Sequence, residues 1–354
     1  MQPNLSGGDN IIPEPTLVSV VIPVHNAERV LSRTLASALA QTYEPIEFVV
    51  VDDGSTDQSS VIIATAAARD NRIRAFQSQG IGPAAARNLA ISQARGELIA
   101  PLDHDDLWHP EKVARQVKVI QASPKVGLVY CWSIHIDESD YIIPSLSTLG
   151  TSCTAQGCVT VELAKGNFIE TSSSPLIKRS YIDAVGGYDS SLQPHGAEDW
   201  KLYLALSEIC EFAVLPEYLV GYRQWTGSMS RGAVTGMAQS TELVERWLCQ
   251  KWPDLPDEVR RQRVYDINVY LAGRALDAHQ LAFAWRCRTR AYQARPAALF
   301  ERSSLKFGAL FLARMVGLKP TMRRRGGSSV RFQEFESAKK QVEMDSTPGR
   351  GTGG

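Results

Sequence analysis

Three near-continuous apolar runs, each ending in polar or acidic residues, most constrain what this chain can fold into. Leu17–Pro23 (LVSVVIP) is almost wholly apolar and β-branched, the composition of a strand buried on both faces. Ile46–Val51 repeats that character and runs into Asp52-Asp53-Gly54-Ser55. Glu97–Leu102 repeats it again and runs into Asp103-His104-Asp105-Asp106. Helical patterns separate the runs. Leu31, Leu35 and Leu39 recur every four residues beside Val30, an inner helix face reaching Gln41, with Asn26 placed to cap it. Val61–Arg69 is Ala-rich and helical, and Ile73–Phe76 reads as a short strand. Pro83 is placed to start a helix through Ala94, Pro110 another through Ala122, and Leu128–Ile136 closes the series as a strand. This alternation predicts an α/β fold: a mostly parallel sheet with helices on both faces. Ligands of such sheets bind outside the carboxyl ends of the strands, so the acids at 52–53 and 103–106 are expected to share one crevice.

The second half is less regular. Ser174–Lys178 reads as a strand, Ser180–Val185 as a short helix stopped by Gly186-Gly187, Glu198–Leu206 as a helix, and Phe212–Leu215 and Tyr218–Tyr222 as short strands. From about Ala238 to Leu318 the pattern is helical, anchored by Trp247, Trp252, Tyr265, Leu271 and Leu276. Residues 1–16 read as a loose arm, and the Gly- and Ser-rich stretch after Arg323 as disordered.

A chain of 354 residues suits one large domain plus an extension. Its 44% hydrophobic and 21% charged content is that of a globular protein. The formal net charge of +0 argues against a generally basic nucleic-acid-binding surface, so no nucleic acid is expected as partner. Zero conceals an asymmetry: residues 286–331 carry about eleven excess bases, balanced by acids upstream. Six cysteines without a CxxC pair fit neither a zinc framework nor a disulfide scaffold, and suit a reducing compartment. Met1–Asn10 lacks an apolar signal core, and no stretch nears the roughly 20 apolar residues of a spanning helix. The expectation is a cytoplasmic protein, with peripheral contact at the inner face of a membrane.

The acids carry the chemistry. Adjacent ionised carboxylates repel, and a divalent cation held through oxygen relieves that repulsion; the bland alternative for Asp103–Asp106 is a solvated loop capping the helix at Pro110. Asp52-Asp53-Gly54 is either a strand-ending turn or an acceptor aimed at a base N–H or ribose hydroxyl, with Gly54 admitting a close ligand.

Five segments then agree in order: Ser19–Asn26 (SVVIPVHN), Val51–Asp57 (VDDGSTD), Gly82–Asn88 (GPAAARN), Gly96–Trp108 (GELIAPLDHDDLW) and Gly186–Trp200 (GGYDSSLQPHGAEDW). Across about residues 17–232 the chain strongly resembles the family 2 glycosyltransferases, inverting nucleotide-sugar enzymes of the GT-A fold. The resemblance implies a catalytic domain at 17–232 (nucleotide-binding half 17–136, acceptor half 137–232); beyond it the helical pattern gives an extension at 233–320 and the composition a disordered tail at 321–354. It places Pro23, His25 and Asn26 where the nucleotide is held, Asp53 at the base, and Arg87 at the ribose or diphosphate. Asp103 and Asp105 are the family's DxD, with Asp105 near the ribose. Asp106, with Asp105, is implied as ligand of Mn²⁺ or Mg²⁺. Asp199 of the ED pair would be the catalytic base, with Glu198, Trp200 and His195 on the acceptor side. The implied activity is metal-assisted single displacement of a hexosyl group from a nucleotide-sugar, in most members a UDP-sugar, onto an acceptor hydroxyl in surface polysaccharide or glycolipid synthesis.

The chain also departs from the pattern. Trp225 stands where many members have a metal- or diphosphate-binding His; indole N–H only donates and cannot coordinate. Lys201 replaces a frequent third acid. His104 inside the DxDD is a further candidate for the cation. Trp225 keeps open a glycosyltransferase-like binding protein without turnover. A nucleotidyltransferase would carry Gly and Lys near its first strand, and Pro23–Val30 (PVHNAERV) has neither. Finally, residues 298–325 mix Leu299, Phe300, Leu305, Phe307, Leu310, Phe311, Leu312, Met315 and Val316 with Arg302, Lys306, Arg314, Lys319 and Arg323-Arg324-Arg325; this is the composition either of helices packed on the catalytic domain with a solvated basic rim or of a surface in reversible contact with anionic lipid.

Overall fold

The computed structural model describes residues 15–143, 153–192, 196–224, 234–315 and 331–334. Strands β1 (Val18–Val24), β2 (Ile46–Asp53), β3 (Ile73–Ser78) and β4 (Leu98–Pro101) lie in the order β3-β2-β1-β4, all parallel. The sheet continues through β7 (Leu176–Lys178), β6 (Val126–Ile136), β8 (Glu211–Arg223) and β5 (Leu107–Trp108). β7 runs antiparallel to both β4 and β6, β8 runs parallel to β6, and β5 runs antiparallel to β8. Only β7 and β5 therefore oppose the common direction, and the sheet is mostly parallel as expected.

Alternation along the strands sorts the core into two layers. Val18, Val20, Ile22 and Val24 face α1 (Leu31–Leu39), α2 (Ser59–Arg69) and α4 (Lys112–Ala122), where Leu31, Leu35, Ile63, Val113 and Val117 meet them. Val21, Val49 and Val51 face the other way, onto Ala86 and Ala90 of α3 (Pro83–Gln93). That second layer also holds Leu163 of α5 (Thr160–Lys165), Ile182 of α6 (Arg179–Val185) and Leu202 and Leu206 of α7 (Glu198–Ser207). Fully apolar strands are required because both faces are covered.

The helical extension is not detached. Val244 and Leu248 of α8 (Val234–Lys251) and Val259 of α9 (Asp257–Asp277) enter the second layer, while Leu271, Ala275, Cys287 and Phe307 build a core that α9 shares with α10 (Leu281–Ala294) and α11 (Arg302–Met315).

Several local expectations need correction. The helix expected from Asn26 begins at Leu31, and Asn26 does not cap it. Asn26 instead adopts φ 49° and its side-chain oxygen accepts from the Thr56 N–H at 2.8 Å. The two strands expected at 212–222 form one continuous β8, with register shifts against β6 around Trp132. Of the tail expected to be disordered, residues 331–334 dock: Arg331 bridges to Tyr141, and Phe332 is buried with Leu107 and Ile136. The rest of that tail, residues 1–14, His195, Trp225 and 316–330 lie outside the described residues.

Candidate active site

The polar residues sit at the carboxyl ends of the parallel strands. β1 ends at Val24, next to His25 and Asn26; β2 ends at Asp53; β4 leads into Asp103–Asp106. His25 Nδ1 lies 2.8 Å from the Asp53 carbonyl, and His104 Nδ1 lies 3.3 Å from the Pro23 carbonyl. The ends of β1, β2 and β4 therefore lie side by side, with Asn26, Asp103 and Asp105 next to the contacting residues in sequence.

Asp53 does something other than present a free carboxylate. Its Oδ1 accepts from Ser78 Oγ at 2.7 Å and the Ile81 N–H at 2.8 Å, and its Oδ2 accepts from the Gly82 N–H at 2.7 Å. The side chain is buried and anchors the 78–82 loop. Gly54, at φ 72°, packs so close to this loop that an added Cβ would sit 3.2 Å from the Gly80 nitrogen. Asp53 is thus engaged by its own chain and fixes the loop beside the end of β2.

Asp106 is corrected more strongly. It is 0% exposed. Its Oδ1 accepts from the Arg223 N–H at 3.0 Å and its Oδ2 from Thr171 Oγ1 at 2.8 Å. Burial, then the charges of Asp105 and Asp103, push its pKa well above the ordinary carboxylate range. A buried acid with both oxygens engaged is a loop anchor, and the geometry turns it away from the metal-ligand role expected of it. Asp105 is half-buried, and Arg223 Nε donates to its carbonyl at 2.6 Å. Arg223 is itself fully buried, paired with Asp140 at 2.6 Å. Asp105 and Asp103 offer hard oxygen donors, which suit Mg²⁺ or Mn²⁺. Among the described residues no three His, Cys, Asp or Glu side chains are already gathered as a metal cage.

Arg87 joins the two halves of the crevice. Its guanidinium, 4% exposed, donates to Asp103 Oδ1 at 2.6 Å and Glu198 Oε1 at 2.7 Å. Burial would lower its pKa, but Asp103 and Glu198 hold it well above the ordinary guanidinium value. Arg87 is thus a clamp between the DxD and ED segments, and Glu198 is its partner there. Asn88 fastens the same region: its side chain bonds both the N–H and the carbonyl of Tyr188, at 2.9 and 2.7 Å. Only glycine fits beside it, since a Cβ at Gly187 would fall 2.7 Å from Asn88 Oδ1, and φ there is +77°.

Asp199 opens α7. Its Oδ1 accepts from the Trp200 N–H at 2.6 Å, and Asn167 Nδ2 lies 3.4 Å from its Oδ2. Burial first, and the charge of Glu198 second, push its pKa up to about 7. Trp200 is corrected to a core residue: it is 4% exposed, and its Nε1 donates to the Leu163 carbonyl at 2.8 Å. Sequence reasoning missed the loop 166–174, which runs from the ED pair to the DxDD. Asn167 reaches Asp199, Thr171 reaches Asp106, and Ser173 Oγ accepts from the Asp103 N–H at 3.0 Å. The available signal was Glu170–Ser174 (ETSSS), a polar run directly before an apolar strand.

A mostly parallel α/β sheet with acids at its strand ends and a helix-borne acid pair across the crevice defines a GT-A type nucleotide-sugar fold. Residues 19–183 match the family model "Glycosyl transferase family 2". An uncharacterized glycosyltransferase of Nostoc sp. is 40% identical over 151 residues, covering 42% of this chain and 46% of that protein. Glycosyltransferase GlyG of Streptococcus pneumoniae is 39% identical over 128 residues, covering 35% of this chain and 41% of that protein. The chain thus spans less than half the length of these two relatives. Among solved structures, the mannosyltransferase PcManGT of Pyrobaculum calidifontis, in complex with GDP-Man and Mn²⁺, superposes with a TM-score of 0.54 at 19% identity, covering 86% of this chain and 88% of that one. S. aureus TarS 1-349 gives 0.50 at 17% identity, covering 80% and 93%. Both likenesses concern the fold.

Proposed function

We propose that the protein is an inverting glycosyltransferase that moves a hexosyl group from a nucleotide-sugar to an acceptor hydroxyl. The observation that carries this reading is Asp199: a carboxyl held near neutrality by burial, fixed by Trp200 and Asn167, and linked through Glu198 and Arg87 to the DxD segment. A base whose pKa lies near the working pH combines the ionised form with real proton affinity. Asp199 takes the acceptor hydroxyl's proton as that oxygen bonds to the anomeric carbon. The bond from that carbon to the diphosphate oxygen breaks on the opposite face, so one displacement inverts the configuration. Asp105, with Asp103 beside it, would hold Mn²⁺ or Mg²⁺; a cation there neutralises charge on the diphosphate. Pro23, His25 and Asn26 line the nucleotide's place, and the Asp53-held loop forms its wall. UDP-sugars are the leading donors on the resemblance of the five segments, and GDP-mannose is the alternative raised by the Pyrobaculum enzyme.

The acceptor belongs to surface polysaccharide or glycolipid synthesis in this reading, and the extension brings the enzyme to anionic lipid. Leu299, Phe300, Leu305, Leu312 and Met315 are all exposed, with Phe300 90% open, and Lys306 is exposed beside them. No helix among the described residues is long and apolar enough to cross a membrane.

Melting curves with UDP-glucose, UDP-N-acetylglucosamine and GDP-mannose, each with and without Mn²⁺, test the donor site. One donor should raise the melting temperature in a cation-dependent way and be slowly hydrolysed. No shift with any of them would overturn the reading.

A further inference from the structure

Helix α9 turns one face toward the crevice. Arg263, Ile267, Tyr270 and Arg274 follow one another at spacings of four, three and four residues, a single stripe of the helix. The stripe is tied down at both ends. Arg263 Nη1 donates to the Ala164 carbonyl at 3.2 Å, at the end of α5. Arg274 Nη1 donates to Gln224 Oε1 at 3.2 Å, one residue beyond β8. Between them Ile267 packs on the core layer beneath. The ties bracket the 166–174 loop, which reaches Asp199 through Asn167 and Asp106 through Thr171. Tyr270 therefore lies over the space between Asp199 and the DxDD loop.

Two side chains there stand outside the donor-binding set proposed above. Tyr270 is 38% exposed, yet burial of its hydroxyl raises its pKa; Arg274 works against the rise, and the charges of Asp199 and Glu170 add to it. A partly open ring with an enclosed hydroxyl is how a side chain lines a cleft. Glu170 is fixed from behind: Ser133 Oγ donates to its Oε2 at 2.5 Å, and His135 Nε2 lies 2.7 Å from its Oε1. Each carboxylate oxygen keeps further acceptor capacity.

Building on the glycosyltransferase reading, we propose that Tyr270 and Glu170 form the acceptor site and that the acceptor presents an uncharged sugar ring to it. Glu170 accepts from one ring hydroxyl, Tyr270 bonds a second and offers an apolar ring edge, and the attacking hydroxyl meets Asp199. Asp199 and Glu170 outnumber Arg274 among the charges that act on the Tyr270 hydroxyl, which favours hydroxyl donors over a phosphorylated ring. The extension is thus half of the acceptor site, and its α9 sets acceptor choice.

The full-length protein, Tyr270→Phe and Glu170→Gln are compared on a panel of p-nitrophenyl hexosides and on the matching hexose 6-phosphates. Binding of UDP or GDP with Mn²⁺ is followed by melting temperature. Neutral hexosides should be accepted and the phosphates refused. Each variant should raise the hexoside KM by about tenfold, the loss of one hydrogen bond to a charged or enclosed group, while the nucleotide-induced shift persists. Unchanged KM in both variants, a preference for the phosphates, or a wild type that hydrolyses donor but glycosylates no hexoside would overturn this inference alone. A wild type without any nucleotide-induced shift would overturn the glycosyltransferase reading and this inference with it.

Discussion

The strand-end side of the crevice and the α7 side both rely on aspartates, but they use them differently. Asp53 and Asp106 are buried, with both oxygens engaged by donors from their own chain: three for Asp53, and an N–H and a hydroxyl for Asp106. Asp199 has one short bond from a backbone N–H and one long approach from Asn167. A fully enclosed carboxylate fixes the shape of a loop. Burial raises the pKa of both Asp106 and Asp199, but only Asp199 is partly open, so only its proton affinity can serve an incoming hydroxyl. Proximity of an acid to a crevice therefore says little about its role until its partners are counted.

The sharpest way to break this contrast is Asp199→Asn. Transfer should fall by about 10²–10⁴-fold, the usual consequence of losing a general base, with nucleotide-induced melting shifts intact. Preserved turnover with lost nucleotide binding would move Asp199 to the donor side. Next in size is Arg87→Ala, which leaves Asp103 and Glu198 facing each other without their cation. Stripping one partner from a buried ion pair typically costs about 3–5 kcal/mol, read by urea unfolding. A loss under about 1 kcal/mol would show that the two halves hold together without the clamp. Asp53→Ala comes third. It should cost about 1–3 kcal/mol by orphaning the Ser78, Ile81 and Gly82 donors, and should weaken nucleotide binding only through the loosened loop. The smallest effect is in the pH profile. The ionised form of Asp199 is the active one, so the rate should fall as pH drops through about 7, reaching roughly a tenth of its plateau one unit lower. A rate flat down to pH 5 would remove Asp199 as the titrating base.

The parallel half of the sheet was legible because its strands are buried on both faces and therefore apolar throughout, as in Val18–Val24 and Ile46–Asp53. Both acid clusters were legible because they interrupt such runs. Less could be read where structure depends on partners far along the chain. β5 has two residues and exists only by pairing Leu107 with Gly221 and Trp108 with Val220. The inward turn of Asp106 depends on Arg223, 117 positions away, and on Thr171. Asn167 carries no local pattern, and the polar run that begins at Glu170 does not say what it meets; only the fold brings these residues to Asp199 and to His135. The helix expected from Asn26 failed because that side chain is taken by Thr56 on the neighbouring loop.

The docking of residues 331–334 bears on how this protein is handled. Phe332 fills a hollow over Gly221, where it approaches the site of a missing Cβ to 3.1 Å, and its N–H donates to the Asp140 carbonyl. Asp140 pairs with Arg223, whose backbone holds Asp106. A Gly-rich, charged end invites trimming for crystallisation or display. A cut placed before Arg331 would uncover Leu107 and Ile136, creating a sticky spot a few bonds from the DxDD loop. Trimming after Glu334 keeps that plug in place.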